Sequence, residues 1–149
     1  MIPKAKIHLY YSQLVQDKID AFRDMIAALT EDSKNDAKGS AGDKHETALS
    51  MMHIEQEKLS AKLSEFLAQK AVLDKIDPLS VNTRAVVGSL VQTNRMLVYI
   101  AAALPKINIE GNDVFAISPQ SPLGSQLMGH EAGYSFDING TAYRIEHIR

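Results

Sequence analysis

Cysteine is absent from the 149 residues, which excludes disulfides, thiolate metal sites and cysteine nucleophiles and is compatible with a reducing compartment. Also missing is an apolar run long enough to cross a membrane. The longest, Met96 to Leu104, falls far short of the roughly 20 residues a spanning helix needs. The opening Met1-Ile2-Pro3-Lys4-Ala5-Lys6 lacks the uninterrupted apolar core of a signal peptide, so a cytoplasmic protein without membrane association is expected. Nor is there an excess of positive charge. The formal net charge is −2, split as 11 basic against 13 acidic residues through Asp77 and 5 against 5 beyond it. Direct DNA binding is therefore not expected, and a protein partner is.

From Lys6 to Lys34 the chain has no proline or glycine, and Tyr11, Val15, Ile19, Phe22, Ile26 and Leu29 recur at steps of four and three. That spacing is a coiled-coil seam, with Gln16, Asp17, Lys18, Asp20, Arg23 and Asp24 left for the solvated face. A second helix is expected from Asp43 to Ile76, with Ala48, Met52, Leu59, Leu63, Phe66 and Leu73 on its seam and Gln56 and Lys70 as polar intrusions. Met25, Met51 and Met52 are expected to pack in the seam or core. Gly39 and Gly42 allow the chain to reverse between the helices, which makes the pair antiparallel. The Asp77-Pro78 pair ends the second helix, since a residue before proline is steered out of the helical region.

Beyond Pro78 the period becomes β-like. Val86–Gln92 and Met96–Ala102 read as strands joined at Thr93-Asn94-Arg95, and Val114–Ile117 as a third. Ser121-Pro122 opens a short helix, with serine as N-cap, proline at the first helical position and Gly129 just past the end. Tyr134, Phe136 and Ile138 then alternate with polar residues up to the turn signal Asn139-Gly140, and Thr141–Ile148 returns as partner strand. The expectation is an α+β protein: a helical hairpin arm over residues 1–77, then a small antiparallel sheet with one helix over 78–149.

Two stretches carry the candidate chemistry. Asp43 and Glu46, three apart, share one side of a first helical turn. That spacing also suits a capping box, in which the two side chains satisfy the helix's own amides and need no further role. The five histidines, at 8, 45, 53, 130 and 147, show no metal spacing; His45-Glu46 begins like a zinc-protease motif, but Leu49 stands where its second histidine belongs. Ser118, Ser121 and Ser125 lack the constellation of a nucleophilic serine, and Ser121 is most simply a helix cap.

The tip Gly42-Asp43-Lys44-His45-Glu46-Thr47-Ala48 resembles the Gly-Asp-Leu-x-Glu-Asn-Ala of the bacterial Gre family of transcript-cleavage factors. The stretch Ile117-Ser118-Pro119-Gln120-Ser121-Pro122-Leu123-Gly124-Ser125-Gln126-Leu127-Met128-Gly129 is similar to that family's Ile-Ser-x-x-Ser-Pro-(Leu/Ile)-x-x-x-Leu-(Leu/Ile)-Gly, and is the more specific of the two. The resemblance implies an FKBP-like C-terminal domain docked on the rim of RNA polymerase's secondary channel, with Ser118, Gln120, Ser121 and Pro122 at the contact. It also implies a coiled coil that enters the channel. Asp43 and Glu46 would then help hold a second magnesium ion jointly with the polymerase during cleavage of backtracked RNA. No cofactor would be bound tightly by the chain alone, RNA would be met only through the polymerase, and the protein would not be an enzyme in its own right. Lys44, Thr47, Leu49 and Ser50 depart from the cleavage motif, so channel binding is the broader expectation and cleavage the narrower. The alternatives from other classes are an FKBP-like peptide-binding or prolyl isomerase module, and a non-catalytic coiled-coil interaction protein.

Overall fold

Helix α1 spans Lys4–Asp36 and helix α2 spans Asp43–Asp74. The computed structural model describes residues 2–36 and 43–149, so the reversal expected at Gly39 and Gly42 lies outside the described residues. The chain forms two compact units, one of Gln13–Lys70 and one of Met1–Ser12 together with Ala71–Arg149.

In the helical unit the expected seam is inward-facing. Val15 and Ile19 are buried, and Phe22, Ile26 and Leu29 are half-buried, as are Ala48, Met52, Leu59, Leu63 and Phe66 of α2. Phe22 meets Phe66 edge to face at 5.1 Å, a preferred aromatic geometry. Gln56, the polar intrusion, donates from Nε2 to Thr30 Oγ1 at 2.9 Å, and Thr30 Oγ1 in turn donates to the Ile26 carbonyl. Contacts that pair 22 with 66 and 30 with 56 make the helices antiparallel. Met25 and Met51 do not join the seam, being 42% and 66% exposed. Their positions fall outside the four-three repeat, so the helical period overrides their hydrophobicity.

The other unit is built on six strands: β1 Leu90–Thr93, β2 Leu97–Ile100, β3 Ile107–Ile109, β4 Asn112–Ile117, β5 Ser135–Ile138 and β6 Thr141–Ile148. Their order is β3-β4-β2-β1-β6-β5. All neighbours are antiparallel except β2 and β4, which run parallel with Tyr99 opposite Ala116. That parallel pair departs from the expected all-antiparallel sheet. Its cause is β3, too short to be read from a three-residue alternation. It forms a hairpin with β4 through Glu110 and Gly111 at φ 54 and 81, so β4 returns between β3 and β2. The first strand also starts later than Val86. Gly88 has φ +95 in a turn closed by Ser89 N–H to the Val86 carbonyl, and a Cβ there would stand 2.8 Å from Ile76. The Thr93 turn forms as expected: buried Thr93 Oγ1 accepts the amides of Arg95 and Met96. Asn139 and Gly140 both have positive φ at the β5–β6 turn.

Each face of the sheet has its own cover. Val91, Val98, Ile100 and Ile145 pack with Leu127 of the short helix α3, Pro122–Leu127. On the other face lie Leu90 and Tyr99, cross-strand partners, with the ring of Tyr11 stacked on Tyr99 at 6.3 Å and 9°. Both rings are fully buried. Tyr11 donates to the Pro105 carbonyl at 2.9 Å, and the Tyr99 hydroxyl lies 2.7 Å from His8 Nδ1. Ile2, Ile7 and Leu73 are buried in the same unit, and Lys4, 6% exposed, donates to the Ser80 carbonyl. The first turns of α1 and the end of α2 thus belong to the sheet's own core. Removing them would bare several large side chains, each worth about 1.5–3 kcal/mol of burial. A fragment 83–149 is therefore expected to show no cooperative melt; a sharp thermal transition from that fragment would contradict this.

His8 gives the fold a pH dependence. Burial lowers its pKa below the ordinary 6.5, Asp74 opposing the shift and Lys4 adding to it. The neutral ring pairs with the Tyr99 hydroxyl through Nδ1, and protonation adds a charge that burial disfavours. In the unfolded chain His8 takes up its proton near the ordinary value, whereas the folded chain resists until a lower pH. Stability is therefore complete above the unfolded value and falls as the pH drops below it. Urea titrations at about pH 7.5 and about pH 5 should show a smaller loss for His8→Asn than for the parent chain.

Candidate functional site at the loop before the short helix

The segment from Ile117 to Gly129 leaves β4, makes a tight loop and enters α3. Ser121 is the N-cap, with extended backbone and a side chain that accepts the Gly124 amide at 3.0 Å, and Pro122 follows at the first helical position. Both features match the sequence expectation. A proline costs nothing there, since that amide has no helical partner.

The loop is closed on itself by its serines. Ser121 Oγ donates to the Ser118 carbonyl at 2.7 Å, and the Ser121 amide reaches the same oxygen at 3.2 Å. Ser118 Oγ accepts the Gln120 amide at 3.1 Å and donates to Gln120 Oε1 at 3.2 Å. Ser125 Oγ donates to the Pro122 carbonyl at 3.1 Å. The serine hydroxyls are thus engaged in holding the turn. Gln120 and Pro122 are exposed, Ser118, Pro119 and Ser121 half-buried.

Gly124 seats the loop, and the sequence reading did not single it out. An added Cβ would stand 2.1 Å from the Ser118 carbonyl oxygen, 2.9 Å from Ser121 Oγ and 3.0 Å from Pro119 Cα. The loop lies so close over the helix's first turn that only a hydrogen fits. The available signal was a glycine inside a helical stretch, which usually has a packing reason because it weakens the helix. Past α3, the Gly129 amide donates to Ala85 and the Ala85 amide to His130, so both ends of the segment are tied to the sheet unit.

The tip residues are less fully placed. Asp43 begins α2, but its side chain and those of Lys44 and His45 lie outside the described residues; Glu46 is exposed. The capping box and the paired carboxylates expected there rest on a side chain that is not described. One exposed carboxylate does not make a magnesium site, which takes several oxygen ligands. Any ion at Glu46 would need oxygens from elsewhere.

An aromatic series lies beyond α3. His130 stacks on Tyr134 at 3.5 Å, Tyr134 on Phe136 at 5.7 Å and Phe136 on Tyr143 at 5.4 Å, with the Arg95 guanidinium 5.6 Å from the Tyr143 ring. Tyr134 and Phe136 pack on the Val91 and Val98 core, whereas Tyr99 stacks on Tyr11, and Phe115 lies under Lys106. These side chains are therefore divided between separate places and do not surround one cavity, as an FKBP-like isomerase site would require.

No family model matches the chain, and no curated protein matches it. A solved structure described as that of the transcription factor Gfh1 is similar over 92% of this chain and 92% of its own, at 18% identity and a TM-score of 0.36.

The tight seat at position 124 reverses an ordinary rule. In a free helix, glycine to alanine gains about 1 kcal/mol, but forcing a methyl into an occupied space costs about 1–3 kcal/mol. Gly124→Ala is therefore expected to lower the melting temperature, whereas Ser125→Ala, one residue on and exposed, should leave it nearly unchanged. Equal melting temperatures for Gly124→Ala and the parent would contradict the tight seat.

Proposed function

We propose that this chain is a Gre-like transcription factor that binds RNA polymerase through its secondary channel. In this reading the sheet unit is the docking domain, with Ser118, Gln120, Ser121 and Pro122 at the contact, and the helical unit, Gln13–Lys70, is the arm that enters the channel. The observation that carries it is the 117–129 segment. It has the family's Ile-Ser-x-x-Ser-Pro pattern, and its residues form a self-closed loop that presents Gln120 and Pro122 to solvent. The antiparallel helical pair followed by a sheet supports the same reading.

Asp43 and Glu46, at the start of α2, are the residues to be delivered to the polymerase active site, where a second magnesium ion would activate water for phosphodiester cleavage. Their part is to supply oxygen ligands beside those of the polymerase. Lys44 between them opposes this, since a cation near the site disfavours a bound metal ion by simple repulsion. Modulation of elongation is thus the general function and stimulated cleavage a weak activity.

The test uses purified RNA polymerase and a stalled, backtracked complex. The chain should bind the polymerase and compete with an established channel-binding factor. Asp43→Asn and Glu46→Gln should abolish stimulated cleavage with binding retained, because asparagine caps a helix about as well as aspartate. Lys44→Leu should raise it. Equal cleavage by the parent and Asp43→Asn removes the catalytic part, and absence of binding removes the function.

A further inference from the structure

We propose that a concavity on the sheet face that carries Leu90 and Tyr99 is a site for a small carboxylic acid, with Arg149 holding the carboxylate and Leu90 and Leu97 receiving a short apolar body. The site lies wholly within the sheet unit and does not involve the loop before α3.

Strand register places it. Side chains two apart on a strand share a face, so Gln92 joins Leu90 on the face that Tyr99 occupies. Leu97 and His147 are the cross-strand neighbours of Gln92 on β2 and β6. The first turns of α1 cover Tyr99, but beside Ile2 the same face is left as a concavity of about 180 Å³, with Asn112 and Arg149 also at its wall. Leu90 is buried and Leu97 half-buried, whereas Asn112 and His147 are exposed, so the concavity is apolar at depth and polar at its mouth. Drug-sized ligands occupy about 300–1,000 Å³. This volume admits only a molecule of a few carbon atoms.

Arg149 gives the site its sign. Its main chain pairs with that of Leu90 in both directions, and Arg149 Nη1 donates to the Ile2 carbonyl at 2.9 Å. The root and one arm of the guanidinium are therefore fixed, while its other N–H groups have no partner among the described residues. No carboxylate among those residues pairs with it either. Burial lowers the Arg149 pKa with no acid to oppose the shift, and Lys4 is near enough to feel its charge as a repulsion. A half-buried cation with a like charge nearby is stabilised by an anion that reaches it.

A carboxylate meets these conditions better than a phosphate. Its two oxygens match parallel N–H groups of a guanidinium, and its single charge matches one cation. Gln92 Nε2 donates to the Thr93 and Met96 carbonyls at 2.7 and 3.3 Å, so what Gln92 has left is an acceptor oxygen. That oxygen repels a third phosphate oxygen. The two leucines add apolar burial, which a phosphate cannot use.

The experiment is isothermal titration of the full chain with 3-methylbutanoate in a phosphate-free buffer. Saturable binding is expected with a Kd of about 1 mM, the scale such a small ligand can reach, together with a raised melting temperature. Acetate, which lacks the apolar body, should bind about tenfold more weakly or worse, and the neutral 3-methylbutanamide should not bind. Arg149→Gln should weaken binding by about tenfold or more. Leu97→Trp, which fills the concavity and leaves the charge alone, should do the same with an unchanged melt, and it decides the matter if Arg149→Gln melts early. Absence of saturable binding, equal binding of acid and amide, or full affinity in Leu97→Trp overturns the site. Inorganic phosphate binding more tightly than the acid overturns the carboxylate assignment.

Discussion

The stack of Tyr11 on Tyr99 is the contact on which the sheet unit depends. Tyr99 lies on β2, inside a sheet whose two edges are the short strands β3 and β5. Its ring is fully buried only because the first turns of α1 lie over that face. A sheet with α3 on one face and nothing on the other would expose Leu90 and Tyr99 to water. The hydroxyls of Tyr11 and Tyr99 make the contact directional as well as apolar. Tyr11 ties the helix to the Pro105 carbonyl, just ahead of β3, and His8 satisfies Tyr99. A buried phenol without a partner would cost about 1–3 kcal/mol, so His8 is part of the core although it is only half-buried.

This arrangement explains what was legible in the sequence and what was not. Helix periodicity is a local signal, and it located both helices and the seam, just as the junction of two β-like runs located the turn at Thr93. It could not show that the seam's first member, Tyr11, faces a sheet strand while later members belong to the helical unit, because both destinations ask only for an apolar residue at the same spacing. The parallel β2–β4 pair was hidden for a related reason. Pairing direction is set by where a connection returns, and the returning strand β3 has three residues and a turn whose first member is Glu110 instead of asparagine or aspartate.

At the loop before α3 the same division holds at atomic scale. The Ser121 cap and Pro122 follow from residue preferences at a helix start and could be read directly. Gly124 and the Ser118–Gln120 pair could not, since their roles come from how closely the loop crosses over the helix. The tip is the reverse case: Asp43 and Glu46 were marked by their spacing and by the resemblance of the tip motif, and Asp43's side chain lies outside the described residues.

The helical unit shows how a polar residue in a seam can define pairing. An all-apolar repeat would allow α2 to slide by a heptad against α1 with little change in burial, since one leucine or isoleucine replaces another. Gln56 favours the observed alignment because its amide finds an acceptor in Thr30, whose hydroxyl is itself fixed by the Ile26 carbonyl. A slip would break that hydrogen bond. Phe22 and Phe66 reinforce the same alignment through shape, as an edge-to-face pair at 5.1 Å. The hydrogen bond adds little net stability to the correct pairing. Its effect is on the alternatives, each of which gives up the Gln56–Thr30 bond.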